Sequence, residues 1–382
     1  MGKWFKAAVL VGLLGLTVQA AHAQSFVING KVVKLETIAK AGKTYVDVGA
    51  FAKALGASIT YDKAKKQYTV TISGAQAGAQ GTTQLEGGWG EFGKEYTLGK
   101  SDPMNFALRS AEFTVSRVRV GDDVDFPKAG EKLLVLHYTF HNPQRTECRV
   151  VWSTFDFTAV DATNTNREYS QNVGQELNSQ PLDMDLKPAQ KVDAYTYIAV
   201  PASGQVPKLI VKSSDDLVIR YDLRGKVKPL AAPFADPADP SGASALEEVP
   251  AQMNVYYPTG VYDIQLVSAA YTQQPMLGDA PGSGMRYMVF TFMVKNQAAR
   301  SESLDWGVFL PKLRTQDGDN VGWNENLLHG SQDESFEMEL DPGQEVRVRI
   351  YFEVPNGSFG KMLFVQEGSE GRRYAFDVSA VR

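Results

Sequence analysis

A chain of 382 residues is long enough for two or three domains, each with its own core. Hydrophobic residues make up 43% and charged ones 22%, a globular balance that excludes a disordered or membrane-embedded chain. The formal charge of −5, without a basic stripe, excludes a nucleic-acid binder, and the single cysteine, Cys148, excludes an intrachain disulfide.

Residues 1–23 read as a cleaved leader. Lys3 and Lys6 give a positive start, Ala7 to Val18 is apolar, and Ala21-His22-Ala23 is a small-x-small cleavage site. No later stretch reaches about 18 apolar residues, so the mature chain is expected to be exported and to lack a transmembrane segment.

Residues 24–74 form the first domain. Phe26-Val-Ile28, Asn29-Gly30 and Lys31 to Leu35 read as a hairpin, since Asn-Gly suits the positive-φ positions of a type I′ turn. Thr44 to Val46 is a short strand. Asp47 then caps a helix carrying Phe51 and Leu55 and stopped by Gly56. Ser58 to Tyr61 and Gln67 to Ile72 make a second hairpin. This order, with VINGK, TYVDVGAFAKALGA, ITYD and YTVTI, resembles the copper amine oxidase N-terminal-like domain. The resemblance implies a stalk-like surface module that holds no copper of its own. A Pro-Leu-Arg-like turn of that family is replaced here by Asp47-Val48-Gly49, so its Arg has no counterpart.

Residues 75–90, rich in Gly, Gln, Ala and Thr, read as a flexible linker. At its end Gly88-Trp-Gly90-Glu-Phe-Gly93 matches GxGxxG, but no strand-to-helix setting surrounds it, which excludes a nucleotide loop.

The remainder repeats itself. At one constant offset Val135, Asn142, Trp152 and Phe155 fall on Val289, Asn296, Trp306 and Phe309. Met184, Pro188, Gln190 and Val192 fall on Met338, Pro342, Gln344 and Val346. At a slightly larger offset Leu108 to Thr114 matches Leu266 to Thr272, so one loop is shorter in the second copy. Short alternating runs in each copy predict a mainly β protein: a small α+β (ββαββ) N-terminal domain, then two antiparallel immunoglobulin-like sandwiches over 91–225 and 251–382. The strand ending in Asn, the later Trp and the Pro-x-Gln-x-Val strand closing on Val-Pro resemble the telokin-like, immunoglobulin-like extracellular family. Residues 226–250, with Asp-Pro pairs, read as a semi-rigid spacer, and Met184 and Met338 as core residues.

Chemistry is confined to a few places. Leu134, Leu136, Tyr138 and Phe140 match Met288, Phe290, Phe292 and Val294, an apolar inward face; His137, Thr139 and His141 match Thr291, Met293 and Lys295 and point outward. The fold therefore does not require His137 or His141, nor His329, whose counterpart is Gln175. Imidazoles suit copper, yet residues four apart on a strand lie roughly 13 Å apart, so further ligands are needed. Asp317, Asp319 and Asn320 have the alternating oxygens of a calcium loop, or of an ordinary hairpin turn. Cys148 is an isolated thiol. No Gly-x-Ser-x-Gly, His-Glu-x-x-His or Gly-x-x-x-x-Gly-Lys motif is present.

Two expectations follow. One is an exported, non-catalytic envelope protein that takes a surface-layer protein, another envelope protein or a wall polymer as partner. The other is a copper-binding antioxidant of the superoxide dismutase kind, using His137, His141 and His329, with copper as its one cofactor.

Overall fold

The computed structural model describes residues 22–28, 31–40, 43–47, 50, 58–62, 67–71, 87–100, 102–305 and 308–382. The chain divides into two units, Met1–Gln80 and Gly81–Arg382.

In the first unit β1 (His22–Ile28), β2 (Lys31–Lys40) and β3 (Lys43–Val46) form one antiparallel sheet, and β4 (Ser58–Asp62) and β5 (Gln67–Thr71) a hairpin. Ile28 lies opposite Lys31, the register expected of a two-residue Asn-Gly loop. Asp47 Oδ1 accepts from the Ala50 amide at 2.7 Å, the predicted N-cap. The rest of the expected helix, most of the leader and most of the 75–90 stretch lie outside the described residues.

The second unit holds two β-sandwiches. The first contains β6 (Gly87–Gly90), β7 (Tyr96–Leu98), β8 (Met104–Thr114), β9 (Val118–Val120), β10 (Asp123–Asp125), β11 (Glu131–His141) and β12 (Cys148–Val151). It continues through β13 (Phe155–Val160), β14 (Asn166–Glu168), β15 (Val173–Gln175), β16 (Asp183–Leu186), β17 (Lys191–Pro201), β18 (Lys208–Ser213) and β19 (Val218–Asp222). Its two main sheets run β15-β17-β11-β8-β7 and β14-β13-β18-β19-β6.

The second sandwich contains β20 (Glu248–Ala251), β21 (Tyr257–Thr259), β22 (Tyr262–Thr272), β23 (Met285–Asn296), β24 (Glu302–Leu304) and β25 (Lys312–Thr315). Then come β26 (Asn320–Val321), β27 (Leu328–His329), β28 (Met338–Leu340), β29 (Glu345–Pro355), β30 (Gly360–Val365) and β31 (Arg373–Asp377). Its sheets, β27-β29-β23-β22-β21 and β26-β25-β30-β31-β20, repeat the first topology strand for strand. One feature departs from the antiparallel expectation. The strand that opens each sandwich, β6 or β20, joins its sheet parallel to the last, β19 or β31.

Alternation dictates the packing. Leu134, Leu136, Tyr138 and Phe140 enter the first core, and Met288, Phe290, Phe292 and Val294 the second, all at most 1% exposed. Each such side chain contributes about 1.5–3 kcal/mol by leaving water. Met184 is partly buried against the first core, but Met338 is 40% exposed, so of the two only Met184 packs as expected.

The repeated polar residues turn out to be structural. Asn142 Nδ2 donates to Thr146 O and Leu186 O at 2.9 and 2.8 Å; Asn296 Nδ2 donates to Arg300 O and Leu340 O at the same distances. Gln190 Oε1 accepts from Lys187 N, and Gln344 Oε1 from Asp341 N. These amides satisfy loop backbone that packing would otherwise strand from water.

Residues 226–250 do not behave as a spacer. Leu230, Ala243 and Ala245 are buried in the first core, and Phe234 packs against both cores. The segment is tied down by Lys228 N to Ala111 O, Phe113 N to Lys228 O, and Ala245 N to Ala202 O. Two arginines then join the sandwiches. Arg117, from the first, donates to Gly260 O, Tyr262 O and Asp263 at 2.9, 2.6 and 2.8 Å. Arg372, from the second, donates to Glu131 O at 2.6 Å.

Candidate functional site

The face of β11 that points away from the core carries His137, Thr139 and His141, and its neighbours supply their partners. Between His137 and Tyr138 the register with β8 slips at a bulge that skips Arg109, and the same bulge recurs opposite Thr291 in the second sandwich. A bulge re-aims the residue it carries. Arg109 ends with Nη2 3.1 Å from Glu176 and Nη1 3.3 Å from Asp193.

His137 Nδ1 lies 2.6 Å from Glu176 Oε1, and its Nε2 lies 3.7 Å from Glu112. His141 Nδ1 lies 3.1 Å from Glu95 Oε2 and 3.3 Å from the Asn105 amide. Lys191 closes on the other Glu95 oxygen at 2.5 Å, and Thr139 donates to Asp193 at 2.6 Å. The Lys191 hydrogen bond first, and then that of His141, hold the Glu95 carboxyl below its ordinary value. A cavity of about 390 Å³ opens over this face, lined by Glu95, Arg109, Thr139, Lys191 and Asp193 among others. The result is a polar surface of alternating charge in which each imidazole is held by a carboxylate.

His137 and His141 share this face but have separate partners. His329 sits in β27 of the other sandwich, its ring centroid 5.7 Å from that of Phe336. The three are not brought to one point, and among the described residues no group of three or more His, Cys, Asp or Glu is placed to hold a metal. Asp317, Asp319 and Asn320 lie on the β25–β26 hairpin, whose Gly318 takes φ +93°; Thr315 N bonds Asp319 O, and Thr315 Oγ1 accepts from Asp319 N. Cys148 is half-buried on β12, and burial pushes its thiol up, away from reactivity.

The partners of the histidines, Glu95, Glu112 and Glu176, and the Arg109 and Asp193 beside them, escaped the sequence reading. They come from β8, β17 and the loops before β7 and after β15, and only cross-strand register brings them to β11. No local signal marks them.

Residues 27–83 match the copper amine oxidase N-terminal domain family. This agrees with the β1–β5 arrangement. No curated protein matches the chain. Among solved structures it is similar to an uncharacterized β-sandwich protein of Clostridium difficile 630 at 13% identity and TM-score 0.29, over 37% of this chain and 98% of that one. It is also similar to the secreted protein MPT63 of Mycobacterium tuberculosis, at 13% identity and TM-score 0.26, over 37% and 99%. A third is the yjhA protein of Bacillus subtilis, at 13% identity and TM-score 0.25, over 35% and 99%. No helix among the described residues is long and apolar enough to cross a membrane.

Proposed function

We propose that this is an exported, non-catalytic envelope protein in which a stalk-like module precedes two telokin-like, immunoglobulin-like sandwiches that bind an envelope protein or wall polymer. The carrying observation is how the two copies differ. They share topology, core faces, the bulge and the Asn and Gln turn anchors, while their outer faces have diverged. His137, Thr139 and His141, with their carboxylates, are replaced by Thr291, Met293 and Lys295 at the equivalent positions of the second copy. A scaffold duplicated with its surfaces changed is what selective adhesion uses, since specificity resides in the exposed side chains.

The test is retention of the purified mature chain on an envelope fraction, with identification of what it holds. A specific wall polymer or envelope protein is the expected product. Recovery of no such component sinks the reading.

A further inference from the structure

Both sandwiches carry a groove at the same place on the outer face of the sheet that contains β13 or β25. In the first copy it measures about 290 Å³ and is lined by Asp156, Thr158, Asn166, Glu168, Tyr169 and Ile210 among others. In the second it measures about 390 Å³, and the equivalent positions hold Leu310, Lys312, Asn320, Gly322, Trp323 and Phe364. The equivalence follows from register: Thr158 lies opposite Ile210 and Val160 opposite Asn166, as Lys312 lies opposite Phe364 and Arg314 opposite Asn320.

What lies beside the groove differs sharply. In the first copy Val160, Ile210 and Val218 form a small buried apolar cluster. In the second the same three sheet positions are Arg314, Phe364 and Arg373, with the two guanidinium carbons 5.0 and 5.7 Å from the Phe364 ring centroid. The fold is therefore satisfied by three aliphatic residues here, and the cations serve something else. Arg373 is held by Gln366 at 3.2 Å and by Glu248 at 3.4 Å. Lys312 and Arg314 are exposed, and neither forms an ion pair with any described carboxylate. Trp323, half-buried against the second core, forms a fixed aromatic wall.

We propose that this groove binds a carboxylate-bearing saccharide, a uronic-acid-type segment of an anionic glycan. The indole offers an apolar platform for a pyranose ring, Asn320 offers an amide to its hydroxyls, and the guanidinium groups suit a carboxylate in bidentate geometry. The groove crosses β25, β26, β30 and β31 instead of running along a free edge, so it recognises by side chains and does not offer a peptide the backbone pairing of an added strand. The inference rests on the adhesion reading and names the partner chemistry of one site.

The experiment titrates the mature chain with an oligogalacturonate, its methyl ester and a polyglutamate peptide. The oligogalacturonate is expected to bind and the uncharged ester to fail. Arg314→Gln and Arg373→Gln should each weaken binding about ten-fold, the worth of one charge-assisted contact. Asp156→Ala in the first groove should leave it unchanged. Trp323→Ala should also weaken it, and the two exposed arginine variants keep the test valid if the indole proves necessary for folding. Absence of oligogalacturonate binding, binding that survives the double arginine variant, or preference for polyglutamate each overturns the proposal. Envelope retention that survives R314Q/R373Q overturns this site and leaves the adhesion reading intact. Oligogalacturonate binding without envelope retention does the reverse.

Discussion

At the scale of single residues, the least foreseeable feature is a cation seated on an aromatic ring in each sandwich, fully buried in the first and half-buried in the second. Lys132 has no exposed surface; its Nζ lies 4.5 Å from the Phe113 ring centroid and donates to Ala202 O at 3.0 Å, Gly204 O at 2.6 Å and Ala243 O. Its repeat equivalent, Arg286, lies 3.7 Å from the Tyr271 centroid and donates to Ser358 O at 2.8 Å. Each thus ties the loop after β17 or β29 to an aromatic ring on β8 or β22. Burial pushes the Lys132 ammonium down to about 8, with Asp239 opposing, against about 10.4 in an unfolded chain. Below pH 8 the lysine is charged in both states, and the folded state bears the full cost of burying it. Between 8 and about 10.4 the unfolded chain binds a proton that the folded chain has released, so stability rises with pH through that window. The gain is at most about 3 kcal/mol. Urea midpoints at about pH 7.5 and about pH 9.5 should therefore diverge between wild type and Lys132→Met. A difference that is constant with pH would refute this account. Alternation puts Lys132 in phase with Leu134 and Leu136 on the inward face of β11, but a lysine at the start of a strand reads as solvent-facing until the covering segment is known.

At the scale of elements, alternation carried the reading where one face is buried and the pattern is local. The inward faces of β11 and β23 were legible because period-two patterning is a property of one strand. The outer face was not, since the carboxylates that hold His137 and His141 arrive from strands and loops distant in sequence. Composition misled at 226–250. Prolines and Asp-Pro pairs describe a stiff extended chain, but docking depends on a few side chains, Leu230, Phe234, Ala243 and Ala245, finding a core to enter. Asp239 also accepts from Ser241 N and Ser244 N, at 2.9 and 2.8 Å, closing the turn at the segment's centre. Limited proteolysis tests the consequence. A solvated spacer would be nicked there first, whereas this segment should survive as long as the sandwiches do. Leu230→Ala should expose it to cleavage at a cost of about 2–4 kcal/mol in stability. Early cleavage within 226–250 of the wild-type chain would show that the contacts do not hold in solution.

At the scale of the molecule, the two sandwiches are joined by more than the chain that connects them. Arg117 and Arg372 cross in opposite directions, each giving its guanidinium to backbone carbonyls of the other sandwich. Arg117 also pairs with Asp263 at 2.8 Å, with both side chains mostly buried. Lys128 and Glu370 close the rim at 2.6 Å, exposed enough that their pair contributes little. Removing Arg117 takes a donor from two carbonyls and leaves the mostly buried Asp263 carboxylate with Gln297 Nε2 in place of its cation, a loss of about 3 kcal/mol concentrated at the junction. The cores themselves are untouched by that change, so its effect falls on coupling. Wild type should unfold in one calorimetric transition over residues 81–382, and Arg117→Ala should split it into two as each sandwich melts on its own terms. The Lys128→Ala variant should leave the single transition in place. If Arg117→Ala also melts as one transition with an unchanged midpoint, Arg117 is not what couples the sandwiches. Arg372 and the packing of Phe234 against both cores would then be among the remaining links, separable by Arg372→Ala and Phe234→Ala.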